Sequence, residues 1–351
     1  MRYIGNKTKL LDFIGTALTE RGIAAGTAVD PFCGTASVGS ELKRRGFRVL
    51  AADIMEYAWV LARATVEVAR APKCPALRDH LGMPDDTIEG VVGWLNAQPP
   101  SAGFIFHHYT PGGLFGRMYF TMENGARIDG VRATLEHWRT SGLIDRDAFH
   151  VLLAALIEAA DRVANTTGVY AAFVKTWQPN AIRPLELRMP AIVTGKGSRA
   201  EQKDALAVVA ELGPFDLLYL DPPYNARQYA GYYHIPELIA AGWFGRPPAT
   251  RGKTGLIADA DKRSDWSRAR RCEDAFERLV AIAPWRHLIM SYNTEGIIRE
   301  STIERVLRTY GRRATYERRA LPYRRYRSDA DGENRRYRGD RVTEYLYCVD
   351  R

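Results

Sequence analysis

Residues 216–224 read Asp-Leu-Leu-Tyr-Leu-Asp-Pro-Pro-Tyr, and no other stretch restricts the fold as tightly. The apolar run from Leu217 to Leu220 suits a parallel strand buried on both faces. It stops at Asp221. Pro222 and Pro223 lack the N–H donor that would extend a ladder, so the chain must turn at the strand's carboxyl end. In open α/β sheets that edge is where ligands bind. Asp221 and Tyr224 would hang over the pocket there. A plain Pro-Pro turn carrying a surface tyrosine is the structural alternative.

This corner suits one kind of chemistry. A planar exocyclic amine, such as adenine N6, is a poor nucleophile because its lone pair is delocalised into the ring. The Asp221 carboxylate can accept one N–H and the Pro222 carbonyl the other. Two fixed acceptors would bend the nitrogen toward a tetrahedral shape and aim its lone pair at an incoming methyl group. Tyr224 offers a flat face for a base drawn out of a duplex.

Residues 27–39 read as a short strand ending at Asp30, a small-residue turn through Phe32, Cys33 and Gly34, and a helix to about Arg45. Strand–turn–helix units of this kind hold nucleosides in doubly wound folds. Ala36 replaces the middle glycine of a dinucleotide fingerprint. A second strand, Arg48 to Ala52, ends at Asp53, placed to bind ribose hydroxyls or to cap the next helix. At the amino end, Tyr3 and Lys7 flank a Gly-Asn turn before a helix from about Thr8 to Leu18.

Together these segments, in this order, resemble the DNA adenine-N6 methyltransferases, specifically the Dam-type (alpha) group close to type II modification methylases. Arg2 to Lys7 is similar to that family's opening cofactor motif, Asp30 to Gly39 to its glycine turn, and Asp221 to Tyr224 to its catalytic motif. The resemblance continues at Asn225 to Tyr229 and at Glu344 to Tyr347. It implies an S-adenosylmethionine-dependent methyltransferase fold: a Rossmann-like, mostly parallel seven-stranded sheet with one reversed strand, plus a mainly helical insert. By position, Tyr3, Lys7, Asp30, Phe32 and Gly34 would contact S-adenosylmethionine, Asp53 its ribose, Asp204 its adenine, and Asp221 its amino-acid end and the target base. The implied partner is double-stranded DNA. A separately encoded restriction endonuclease is compatible with the resemblance, and transfer to one strand needs only a monomer. Cytosine N4 or an RNA base is the alternative target, and an inactive nucleic-acid-binding module the alternative outside enzymes.

Charge agrees with a polyanionic partner. Fifty Lys and Arg against 41 Asp and Glu give a net charge of +9. From Arg312 to Arg341 there are eleven arginines and five acids, interleaved with tyrosines. Arginine forks suit phosphate oxygens, so Arg324 and Arg325 are candidate DNA contacts, and a solvated loop is the alternative. Arg227, three residues past Tyr224, is placed to reach phosphate beside an extruded base or to form a salt bridge within its loop. Lys175 is a further candidate DNA contact.

Residues 1–60 and 185–351 read as the catalytic domain, and 61–184 as the helical insert and candidate target-recognition region. Within the insert, Ile128 to Ser141 and Arg146 to Ala164 have helical periodicity. Gly245 to Asp265 reads as a long loop. Ala314 to Arg319 and Val342 to Val349 read as an antiparallel strand pair. No stretch approaches the roughly 20 apolar residues needed to cross a bilayer, and the amino end has no apolar signal-peptide core. Four scattered cysteines suggest free thiols in a reducing cytoplasm and no metal site. The expected location is a prokaryotic cytoplasm, on the nucleoid through DNA.

Overall fold

The apolar runs of the sequence become the centre of one twisted sheet. The computed structural model describes residues 2, 5–257, 262, 264–324 and 341–351, leaving aside the side chains of 323, 324, 341 and 342. Seven strands form the sheet: β1 (Gly26–Asp30), β2 (Phe47–Asp53), β3 (Arg199–Gln202), β4 (Phe215–Leu220), β5 (Trp285–Asn293), β6 (Glu317–Arg324) and β7 (Arg341–Asp350). Their order is β3-β2-β1-β4-β5-β7-β6. The first five pair in parallel, and β7 runs antiparallel to both β5 and β6. One strand is therefore reversed, as the resemblance implies, and the order is that of the Rossmann-like methyltransferase fold.

The register explains why one edge collects the polar residues. Val29 pairs with Leu218 and with Leu50, and Leu220 with Met290. Adjacent parallel strands thus end level with one another, and whatever follows them shares one rim. Alternate residues point to opposite faces. Leu218, Leu220, Leu288, Met290, Tyr347 and Val349 pack with helices Ala205–Ala210, Cys272–Ile282 and Glu300–Tyr310 in one cluster. Each fully buried large apolar side chain contributes about 1.5–3 kcal/mol, so the rim hangs from a rigid support.

The chain divides into two compact units. The α/β unit comprises Gly5–Ile54, Gly197–Tyr229 and Asp261–Arg351. The helical unit comprises Met1–Ile4, Met55–Lys196 and Ala230–Ala260. Its longest helices are Met122–Thr140 and Arg146–Val163, each started by a side-chain cap: Thr121 accepts from Asn124 N (3.1 Å) and Asp145 from Ala148 N (2.8 Å). The first begins six residues before the periodicity suggests. Asn124, Arg127 and Asp129 read as a polar start, yet all three are buried and bonded to other segments. The expected loop 245–265 contains a short hairpin, Thr250–Arg251 with Leu256–Ile257. Ala314 and Thr315, read as the start of a strand, belong instead to a 3-10 turn, Arg313–Thr315, because the ladder with β7 begins only at Glu317.

Among the described residues no helix is long and apolar enough to cross a membrane, and no cluster of His, Cys, Asp and Glu could hold a metal ion. Cys33, Cys74, Cys272 and Cys348 are free and buried.

Candidate active site

Four acids stand at the carboxyl ends of four neighbouring strands. Asp30 ends β1, Asp53 ends β2, Asp204 follows β3, and Asp221 follows β4. Asp204 caps the helix after β3 by accepting from Leu206 N at 2.9 Å. Asp53 accepts from Gly34 N at 3.0 Å, and Cys33 N donates to Ala52 O at 2.9 Å, so two backbone donors tie the turn after β1 to the end of β2. The turn requires unusual backbone. Gly34 has φ +48°, and Ala36 has φ +58°, the one non-glycine residue with positive φ among the described residues. A left-handed alanine costs about 1–2 kcal/mol, which the surrounding turn must hold in place.

Asp30 is the most strongly charge-crowded of these acids. Asp30 is buried and accepts a weak bond from Phe32 N at 3.4 Å. Burial first, then the charges of Asp221 and Asp53, hold its carboxyl well above the usual range. Phe32 sets its ring edge-on to Trp266, with centroids 4.7 Å apart. The rim thus gathers clustered carboxylates and aromatic rings, groups that suit a cationic, hydroxylated ligand.

The Asp-Pro-Pro-Tyr corner is braced from three other segments. Lys7 Nζ lies 3.1 Å from Asp221 Oδ1 and 3.7 Å from Glu344 Oε2, and it also donates to the Tyr224 hydroxyl. The Tyr224 hydroxyl in turn donates to Asp221 Oδ1. Tyr292, on β5, stacks under Tyr224 with centroids 5.1 Å apart and donates its hydroxyl to Pro223 O at 3.2 Å. Gly5 passes close to the ring's edge: a Cβ there would sit 2.9 Å from Tyr224 Cε2, and its φ of +83° also favours glycine. Desolvation pushes the Asp221 carboxyl up to about 6 against the opposing pull of Lys7 and of the Tyr224 hydroxyl. Tyr224 is only 7% exposed, so in this arrangement its face is turned inward rather than presented to a base.

The structure thus brings Lys7, Asp30, Phe32, Gly34, Asp53, Asp204, Asp221, Pro222, Pro223 and Tyr224 to one rim of the α/β unit. Arg227 is exposed in the following turn, its N–H held by Asn225 Oδ1 at 3.0 Å. Lys175 is exposed in the helical unit. Tyr3 and Arg325 lie outside the described residues, as does the side chain of Arg324. Glu344, Tyr292, Trp266 and Gly5 complete the site, although none was singled out as a site residue from the sequence. Gly5 and Glu344 lie within stretches that carry the family resemblance, and Tyr292 ends an apolar strand, whereas Trp266 had no sequence signal.

The D12 class N6 adenine-specific DNA methyltransferase family matches residues 3–246. The chain belongs to this family. The type II methyltransferase M.NlaIII of Neisseria lactamica is 33% identical across all of this chain and 99% of its own length. M.FokI of Planomicrobium okeanokoites is 33% identical across all of this chain, which spans 53% of that protein. M.CviAII of Paramecium bursaria Chlorella virus 1 is 28% identical over 99% of this chain and 97% of its own. A solved magnesium protoporphyrin IX methyltransferase from Synechocystis PCC 6803 overlays only loosely, with a TM-score of 0.33 and 11% identity over 99% of this chain and 81% of that one. The strand order, not that overlay, identifies the fold. Adenine-N6 methyl transfer in this family takes its methyl group from S-adenosylmethionine. The acid-rich rim fits that cofactor, which carries a sulfonium, an ammonium and a ribose.

Proposed function

We propose that the chain is a site-specific methyltransferase that modifies adenine N6 in duplex DNA after drawing the base out of the helix. The observation that carries this is the meeting of Lys7, Asp221, Pro223, Tyr224 and Glu344 beside the acids of β1 and β2. When bound, S-adenosylmethionine supplies an electrophilic methyl group and leaves as a neutral thioether. Asp53 would hold its ribose hydroxyls, Asp204 its adenine amine, and Phe32, Gly34 and Asp30 the body of the ligand, with Tyr3 from the opening motif.

Asp221 and the Pro222 carbonyl each accept a hydrogen bond from one N6 hydrogen and turn the lone pair outward. The target amine takes the position in which the Tyr224 hydroxyl now donates to Asp221, and Tyr224, once displaced, provides the stacking face. The N6 proton becomes acidic once nitrogen gains its fourth bond and leaves to solvent, so no strong base is required. His234 has no part in this scheme: both ring nitrogens face backbone carbonyls, Gly231 O and Thr254 O, each at 3.2 Å.

The helical unit is assigned to target recognition, and Arg227, Lys175, Arg324 and Arg325 to phosphate. Binding should weaken steeply with salt. A monomer in the cytoplasm, on nucleoid DNA and paired with a separately encoded endonuclease, completes the reading.

The test is nucleoside mass spectrometry of DNA and RNA incubated with the protein and labelled cofactor. Label in N6-methyladenine of DNA supports the reading. Label confined to N4-methylcytosine or to RNA refutes it.

A further inference from the structure

The Lys7 ammonium serves two carboxylates, and the scheme above uses only one. Glu344 stands on β7, the reversed strand, directly opposite Asn293 of β5. It is 8% exposed. Its Oε1 accepts at 3.5 Å from Asn293 Nδ2, a long bond at best. Its Oε2 lies 3.7 Å from Lys7 Nζ and has no hydrogen-bond partner among the described residues. A buried carboxylate with so few donors is costly, and a neutral side chain of the same size would pack at lower cost. Glu344 therefore stands where fold stability alone would not place it.

Two carboxylates around one ammonium leave a net negative charge where the target amine must donate. With Glu344 absent, Lys7 would belong to Asp221 alone. A carboxylate tied into one close ion pair is a poorer acceptor for an incoming N–H. We propose that Glu344 is a positioning residue for methyl transfer: it draws Lys7 partly to itself and so keeps Asp221 available to accept from the target amine. This rests on the assignment of Asp221 as the acceptor for N6.

The charged and titratable groups facing Asp221 are Lys7 from the amino-terminal segment, Asp30 from β1, Tyr219 from β4, Tyr224 from its own turn, Tyr292 from β5 and Glu344 from β7. Of these, Glu344 adds to the negative charge and Lys7 opposes it. Removing the Glu344 charge leaves Lys7 acting more fully on Asp221, which then ionises at lower pH.

The experiment is the single-turnover pH–rate profile of N6-methyladenine formation by the full chain, for the parent, Glu344→Gln and Glu344→Asp. In Glu344→Gln the acid limb should move down by about one pH unit. The plateau should fall about tenfold, less than the loss typical of deleting a preorganised donor. Glu344→Asp keeps the charge and should keep the parent's limb. An acid limb in Glu344→Gln that coincides with the parent's, at whatever plateau, overturns the proposal. If Glu344→Gln does not fold, Glu344→Met is the second neutral variant. Failure of both to fold assigns Glu344 a structural role and overturns the proposal too. A parent that makes no N6-methyladenine at any pH instead defeats the underlying functional reading.

Discussion

Asp30 and Asp129 are both buried carboxylates, yet their surroundings differ completely. Asp129, in the helical unit, accepts from the backbone N–H groups of Gly103, Ile105 and Phe106, all at 2.8 Å, and so satisfies the open start of helix Phe104–Tyr109. Asp30, in the α/β unit, has a weak backbone donor and faces two further acids. The buried arginines of the helical unit repeat its pattern. Arg117 donates to Lys253 O, His108 O and Gly252 O, clamping the short hairpin, and Arg132 donates to Ile239 O at the end of helix His234–Ala241. In one unit buried charge is spent on backbone. In the other, Asp30 is crowded by Asp221 and Asp53 with one weak backbone donor, an arrangement that suits a cationic ligand.

The sharpest test of that contrast is Asp129→Ala. It strands three N–H groups, one buried and two partly buried, each worth about 1–3 kcal/mol when fully shut from water. Stability should fall by about 2–4 kcal/mol, seen by calorimetry as a drop in melting temperature. An unchanged transition would break the comparison at its structural end. Asp30→Asn should do the opposite. It relieves like-charge crowding, so the fold should be as stable or slightly more so, while S-adenosylmethionine binding weakens by about tenfold or more by titration calorimetry. Loss of stability with binding intact would place Asp30 with Asp129.

A pH profile sharpens the same point at Asp221. Its carboxyl titrates near 6, above an ordinary aspartate, because burial penalises its charge. The ionised form is the strong acceptor for the one amine N–H that Asp221 takes, so the methylation rate should fall as pH drops through about 6. Tyr224→Phe removes a donor to the ionised form, and the limb should move upward. A flat profile from pH 5 to 8 would count against both statements. The smallest effect is expected at Ala36→Gly. The left-handed backbone there is strained for alanine, so glycine should be neutral or stabilising by up to about 1 kcal/mol in chemical denaturation.

The α/β unit could be read largely from the chain because three of its four rim acids end a short apolar strand. Asp30, Asp53 and Asp221 were visible in that way, and the parallel register then placed them together. Glu344 was not, since its role depends on β7 running backwards past β5 and on Lys7 arriving from 337 residues earlier. In the helical unit both long helices were legible, but only Arg146–Val163, buried on most of its surface and capped by Asp145, was legible from its first residue. The start of Met122–Thr140 was hidden because its first turns carry Asn124, Arg127 and Asp129, polar residues that usually mark a surface. Their partners, Ala181 O and Arg183 O for Asn124 and Gln98 O for Arg127, lie far away in sequence. Ala205–Ala210 follows a strand of four mostly polar residues, Arg199–Gln202, whose pairing with β2 no periodicity announces.

The central claim is that Asp221, held at the end of β4, is the acceptor that makes adenine N6 reactive. Asp221→Asn keeps size and shape while removing the charge. Single-turnover N6-methyladenine formation on a duplex carrying the recognition sequence, measured beside DNA affinity, addresses it directly. The expected result is a rate at least about 10²-fold below the parent's, with DNA affinity within about threefold. A variant that methylates within tenfold of the parent across pH 6 to 8 would contradict the account.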